Sequence, residues 1–187
     1  MMRPLCLLFL LAINPISVVK ADPLLLETDG LIDVYGGTSL NLLHSGKFMD
    51  KLSMGAGLME ITIPESMYDE YPDAKGKDWR VHLTGGRLIC DYHFSGVESG
   101  ATLGLHLAYD YYQVRRLGHS SKFRQLGQAL RFGYVWRPWD NHWYLMPIAY
   151  LLNSHKVSGS NSVLGEKFDA DFLGIQAAIS LGYRFQD

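Results

Sequence analysis

His119, Ser120 and Ser121 stand together in one polar stretch and Glu166 stands in another. A serine becomes nucleophilic only when an adjacent base can take its proton and a third group orients that base. On those terms Ser121 would be a nucleophile, His119 its base and Glu166 the orienter. The plainer reading is a polar surface loop that contains histidine and serine. That reading is adopted: no residue is assigned as catalytic, and an enzyme is the less favoured class. His93, His106, His142 and His155 are scattered, with no His/Cys pair at ligand spacing and no Glu between paired histidines, so no metal is expected. Gly36-Gly37 and Gly85-Gly86 read as turn or bulge glycines rather than a phosphate cradle, and no cofactor is expected.

The chain has 187 residues, 48% hydrophobic and 19% charged, with 19 glycines. These proportions exclude disordered and collagen-like chains and point to one domain. With 17 Lys+Arg against 19 Asp+Glu there is no basic footprint for nucleic acid.

Residues 1–21 read as a secretory leader: Arg3 supplies positive charge, Leu5 to Ile13 form the apolar run, and Val19-Lys20-Ala21 precedes the cleavage point. The run stops at Asn14-Pro15, well short of the roughly 20 residues that cross a bilayer. Two of the 17 basic residues and none of the 19 acidic ones fall in the leader, so a mature domain over 22–187 carries net −4 and keeps only Cys90. No internal disulfide can form there. An exported chain of this size without disulfides relies on core packing or on a membrane. No apolar run of 18 or more follows the leader, and the other backbone that satisfies itself in lipid is a closed β-barrel.

The periodicity supports strands. Ala101, Leu103, Leu105, Leu107, Tyr109 and Tyr111 alternate with Thr102, Gly104, His106, Ala108, Asp110 and Tyr112. Leu173 to Phe185 repeats the pattern against Gly174, Gln176, Ala178, Ser180, Gly182 and Arg184. Such lengths suit tilted membrane strands, about double an ordinary globular strand. Leu126, Leu130, Phe132, Tyr134 and Trp136 form a further apolar face, which Tyr144, Met146, Ile148, Tyr150 and Leu152 are read as continuing. Trp79, Val81 and Leu83 take one phase and Leu88, Cys90, Tyr92 and Phe94 the other, so a bulge is expected at Gly85-Gly86. Leu52, Met54, Ala56 and Leu58 alternate with Ser53, Gly55, Gly57 and Met59.

Connections alternate in length. Segments 138–142 and 95–99 are short; 64–78, 116–122 and 157–167 are longer and become external loops if the C-terminus is periplasmic. The count predicts an all-β fold: a closed antiparallel up-and-down transmembrane barrel of eight strands. Two of those strands come from 22–45, one of them near 31–43, with no amphipathic helix in 22–35. Trp136, Trp139, Trp143 and Tyr144 form one aromatic belt, and Tyr109, Tyr111 and Tyr112 the other. The competing architecture is a soluble β-sandwich with a core of aromatic residues. In an eight-stranded barrel the interior is filled by side chains, so His106, Asp110, Arg131 and Arg184 are expected inside, pairing with one another. The acidic stretch with Glu65, Asp69, Glu70, Asp73 and Asp78 reads as solvated surface.

The run Gly-Ile-Gln-Ala-Ala-Ile-Ser-Leu-Gly-Tyr-Arg-Phe at Gly174 to Phe185 resembles the terminal strand of small bacterial outer-membrane β-barrel proteins. That strand ends aromatic-x-aromatic, matched by Tyr183 and Phe185; Gln186 and Asp187 extend past it. The resemblance implies an assembly signal read by the barrel-assembly machinery, a place in the Gram-negative outer membrane, and lipid and lipopolysaccharide as partners. It names an architecture, not an activity. His119-Ser120-Ser121 resembles the His-x-Ser element of the lipid A 3-O-deacylases, although Lys122-Phe123-Arg124 replaces the small residues that follow the serine there. No motif of the lipid A palmitoyltransferases is found. Three functions follow: a structural or surface-interaction barrel, which is preferred, a lipid A-modifying enzyme on the same scaffold, and a soluble periplasmic lipocalin-like carrier.

Overall fold

A computed structural model describes residues 23–45, 51–64, 78–97, 99–139, 142–168 and 171–185. The leader at 1–21 and the acidic residues from Glu65 to Asp73 lie outside the described residues.

The elements are β1 (Leu24–Asp29), α1 (Gly30–Val34), β2 (Thr38–His44), β3 (Leu52–Ile63), β4 (Trp79–His93), β5 (Gly100–Arg116), β6 (His119–Val135), β7 (Trp143–Gly159), β8 (Ser162–Val163), β9 (Glu166–Lys167) and β10 (Phe172–Phe185). Eight of the strands form a closed antiparallel barrel in the order β1-β10-β7-β6-β5-β4-β3-β2. Chain neighbours pair throughout, and β10 closes the sheet on β1 through Leu24↔Phe185, Leu26↔Tyr183 and Asp29↔Ser180. Closure leaves no strand edge unpaired.

The period-two pattern sets the two faces. Leu103, Leu105, Leu107 and Tyr109 on β5 point outward, as do Met54 and Leu58 on β3, Leu88 and Tyr92 on β4, Leu130 and Phe132 on β6, and Ile175 and Ile179 on β10. Leu105 is 59% exposed and Ile175 77%. The result is an apolar belt around the barrel. Trp136, Trp139, Trp143, Tyr134 and Phe185 crowd its rim at the end that holds the termini.

Five expectations are corrected. The strand expected near 31–43 starts only at Thr38, because Gly30–Val34 form one helical turn where the sequence predicts no helix. That turn is fixed by Ser39 Oγ accepting from the Asp29 amide at 2.6 Å and by Thr28 Oγ1 donating to Asp33 Oδ2 at 2.5 Å. No bulge interrupts Gly85-Gly86, since β4 pairs in unbroken register with both β3 and β5. Trp79, Val81 and Leu83 are simply inward, so what changes along β4 is the polarity of the interior. On β7 the phase is the reverse of the one expected: Tyr144, Met146, Ile148 and Tyr150 are buried inside, and Trp143, Pro147 and Leu151 face out. Both faces of β7 are apolar, so alternation could not choose between them. Tyr112 likewise turns inward and leaves the outer aromatic belt.

The fifth correction concerns the connections. The strand ends that flank 64–78 and the segments 116–122 and 157–167 do share the barrel end opposite the termini, but 116–122 is no loop. Arg116 pairs directly with His119 across a two-residue turn, Leu117-Gly118, with φ of 48° and 81°. Positive φ at both positions matches the right-handed twist of the strands it joins. Leu164-Gly165 makes the same kind of turn, φ 53° and 79°, between β8 and β9. This small hairpin folds over the barrel mouth. It lowers Val163 and Phe168 onto Ile61, Ile63, Trp79, Val81, Val114 and Phe123 as an apolar lid. The Phe168 ring meets that of Trp79 edge-on at 5.7 Å, and Phe123 stacks on Tyr112 at 4.7 Å. Asn161 holds the lid's neck, with its Nδ2 donating to the Phe168 carbonyl at 2.6 Å and its own carbonyl accepting from the Phe168 amide at 2.8 Å.

Two measurements check this arrangement. Deleting Tyr183 to Asp187 removes three of the six β1 partners, and the folded band on a heat-modifiability gel should fall sharply. Leu117→Asn, which relieves a left-handed leucine, should raise stability by about 0.5–1 kcal/mol in urea unfolding.

Candidate functional site

Eight strands enclose a space just wide enough for side chains. Large inward groups therefore need small ones opposite. Asp91 on β4 lies over Gly104 of β5, and the Tyr144 ring on β7 lies over Gly182 of β10; a Cβ at either glycine would collide with the side chain it faces. These two glycines clear room for the polar centre of the barrel.

That centre is built on Arg131 of β6, which is 1% exposed. One guanidinium nitrogen donates to Glu27 Oε2 on β1 at 2.9 Å, and the other pairs with Asp91 Oδ2. Tyr144 Oη completes the group by donating to Glu27 Oε1 at 2.8 Å. Four strands are thus tied across the interior. One cation against two carboxylates leaves a net negative charge out of water, which only dense hydrogen bonding makes tolerable. Beside it Ser53 Oγ and His93 Nε2 are 2.9 Å apart.

The four residues proposed for the interior, His106, Asp110, Arg131 and Arg184, all point inward and are buried. They do not form one mutual network. Arg131 takes Glu27 and Asp91 as partners, neither of which was singled out from the sequence. Arg184 sits near the termini, opposite Leu25 in the register. His106 and Asp110 line a separate space on β5, where the His106 ring is 5.5 Å from that of Tyr150. Asp91 was within reach of sequence reasoning, because the outward phase of Leu88, Cys90 and Tyr92 makes it inward. Glu27 was hidden, since Leu24-Leu25-Leu26 carries no alternation.

His119, Ser121 and Glu166 do not assemble into a relay. Ser121 Oγ donates to the Ser160 carbonyl at 2.5 Å, and Glu166 pairs with Arg116 at 2.7 Å. Arg116 in turn lies over the Trp79 ring at 5.6 Å. These contacts fasten the hairpin lid to β5 and β6. Among the described residues no group of three His, Cys, Asp or Glu is placed to hold a metal ion. Tyr183 and Phe185 face outward on β10, their rings 4.8 Å apart and edge to face.

Removing the central cation should expose the energetic role of the cluster. Arg131→Met strands two buried carboxylates and is expected to cost about 3–5 kcal/mol in urea unfolding from micelles. Adding Glu27→Leu and Asp91→Leu to it should restore most of the loss.

No protein-family profile matches the chain, and no curated protein matches it. Among solved structures, the barrel is similar to a major outer membrane protein from Thermus thermophilus, with a TM-score of 0.51 and 14% identity over 88% of this chain and 100% of that one. At that identity the likeness is one of fold: this chain folds as a closed eight-stranded barrel of the kind found in an outer-membrane protein.

Proposed function

We propose that this protein resides in the bacterial outer membrane as a structural or surface-interaction barrel. The observation that carries the reading is the apolar belt on the outer face. Along β5 it runs from Ala101 to Tyr111, a height of about 26 Å at ~3.4 Å per residue and a ~40° tilt, against the roughly 25 Å band of membrane barrels. A soluble carrier would turn its apolar face inward, so the belt disfavours the lipocalin-like alternative. The Thermus protein, itself an outer membrane protein, adds support at the level of fold.

The filled interior supports a role other than conduction. Arg131 and its partners fill the centre, and Phe168, fully buried, caps the far mouth. Surface contacts then fall to the connections at the far end, with outer-membrane lipid and lipopolysaccharide around the belt. The aromatic pair Tyr183 and Phe185 is the segment that barrel-assembly machinery would read. The lipid A-deacylase alternative loses its geometric support, because Ser121 and Glu166 are engaged elsewhere.

Fractionation tests the location: the protein should stay with the outer-membrane pellet through a carbonate wash, and recovery in the soluble fraction would refute the reading. Depth tests the belt. Leu105→Arg should destabilise by about 2–4 kcal/mol in vesicle refolding, whereas Ser120→Arg, beyond the belt, should cost about 0–1. Equal costs would remove the assignment of the belt to lipid.

A further inference from the structure

Between the Arg131 cluster and the apolar lid lies a cavity of about 200 Å³. The register describes its walls row by row. Ile61, Leu83 and Tyr112 form the row nearest the lid, followed by Met59, Asp110 and Gln125, then Arg87, Ala108 and Gly127, and finally His106 and Ala129. One end is therefore apolar and the other polar. Ile32 and the exposed Tyr35, just after α1, also border the space, which gives it an approach from the far end.

Two polar atoms at this cavity have no partner: Asp110 Oδ1 and His106 Nε2. Their residues are 8% and 6% exposed. A buried acceptor left unsatisfied costs about 1–3 kcal/mol, more when charged, so a group that fills the place has energy to gain. The charged residues lining the cavity are Asp29, Arg87 and Asp110, a net charge of −1. Arg87 contacts the Met59 sulfur and lends its charge to Asp110 across the cavity without forming an ion pair with it. Water could satisfy both atoms but gains nothing against Ile61, Leu83 and Tyr112, since apolar cavities stay dry. An engineered cavity of about 150 Å³ admits benzene.

We infer that this cavity is a binding site for a small amphipathic monocation, a primary amine carrying an apolar body the size of one aromatic ring. Its ammonium group donates to Asp110, and its body packs beneath the lid against Ile61, Leu83 and Tyr112. The site is independent of where the protein resides, because its walls are inward residues of the barrel strands together with Ile32 and Tyr35.

The test uses the full chain, isolated in detergent micelles, titrated calorimetrically with phenethylamine and with its neutral analogue 2-phenylethanol. The amine should bind saturably at one site per barrel and at least tenfold more tightly than the alcohol. Asp110→Asn should abolish that preference. Gly127→Val supplies a variant that keeps the carboxylate: a Cβ there meets only Ala108 Cβ at 3.5 Å and Ser154 Cβ at 3.8 Å, and the added methyl groups enter the cavity. It should fold, as judged by heat modifiability, and lose binding. No saturable binding to the wild-type barrel would mean the cavity holds water alone and would overturn the proposal. So would equal affinity for amine and alcohol, or wild-type binding by folded Gly127→Val.

Discussion

An eight-stranded sheet closed on itself has an interior that side chains must fill and that water cannot freely enter. Every inward residue of this barrel answers to that constraint. Bulky groups are set against glycine, as Asp91 is against Gly104 and Tyr144 against Gly182. At the centre, charged groups are set against one another, because a lone ion in such a space would carry a desolvation cost of several kcal/mol. The Arg131 guanidinium, with Glu27 and Asp91 on either side, is the group around which the rest of the interior is arranged.

From that cluster outward the interior changes character in steps. Below and around it, Leu25, Leu43, Ile89, Met146 and Ile148 pack as an apolar collar. Above it come the polar residues of the cavity, and above those the lid of Val163, Phe168, Trp79 and Phe123. The layering explains why Trp79, Val81 and Leu83 look out of phase with the rest of β4: they are inward residues at a level where the interior is apolar. The far end is held shut by a few directed contacts, Arg116 to Glu166, Ser121 to the Ser160 carbonyl and Asn161 to Phe168. Two of the residues that could have suggested catalysis, Ser121 and Glu166, are spent on this fastening.

The outer face is simpler, because outward positions along the belt meet the same surroundings. Leucine, isoleucine and aromatic residues recur there whatever the interior requires opposite them. The belt and the layered interior are therefore independent designs written on alternate residues of the same strands, one set by the medium outside and the other by the volume inside.

Alternation along β5 and β10, the aromatic ending at Tyr183 and Phe185, and the parity of the connections were legible in the sequence because each is a local, periodic property. From them the architecture, the strand count and the outward faces of most strands follow. The phase of β7 was not legible, since both of its faces are apolar and only the collar inside decides which turns in. Nor was the tight turn at Leu117-Gly118, because leucine is not a turn residue and its left-handed φ is imposed by strand pairing on both sides. Glu27 and Asp91 as partners of Arg131, and the cavity between that cluster and the lid, lie furthest from the sequence. They depend on which residues of non-adjacent strands share a height across the barrel, and that height is fixed only when β10 closes on β1.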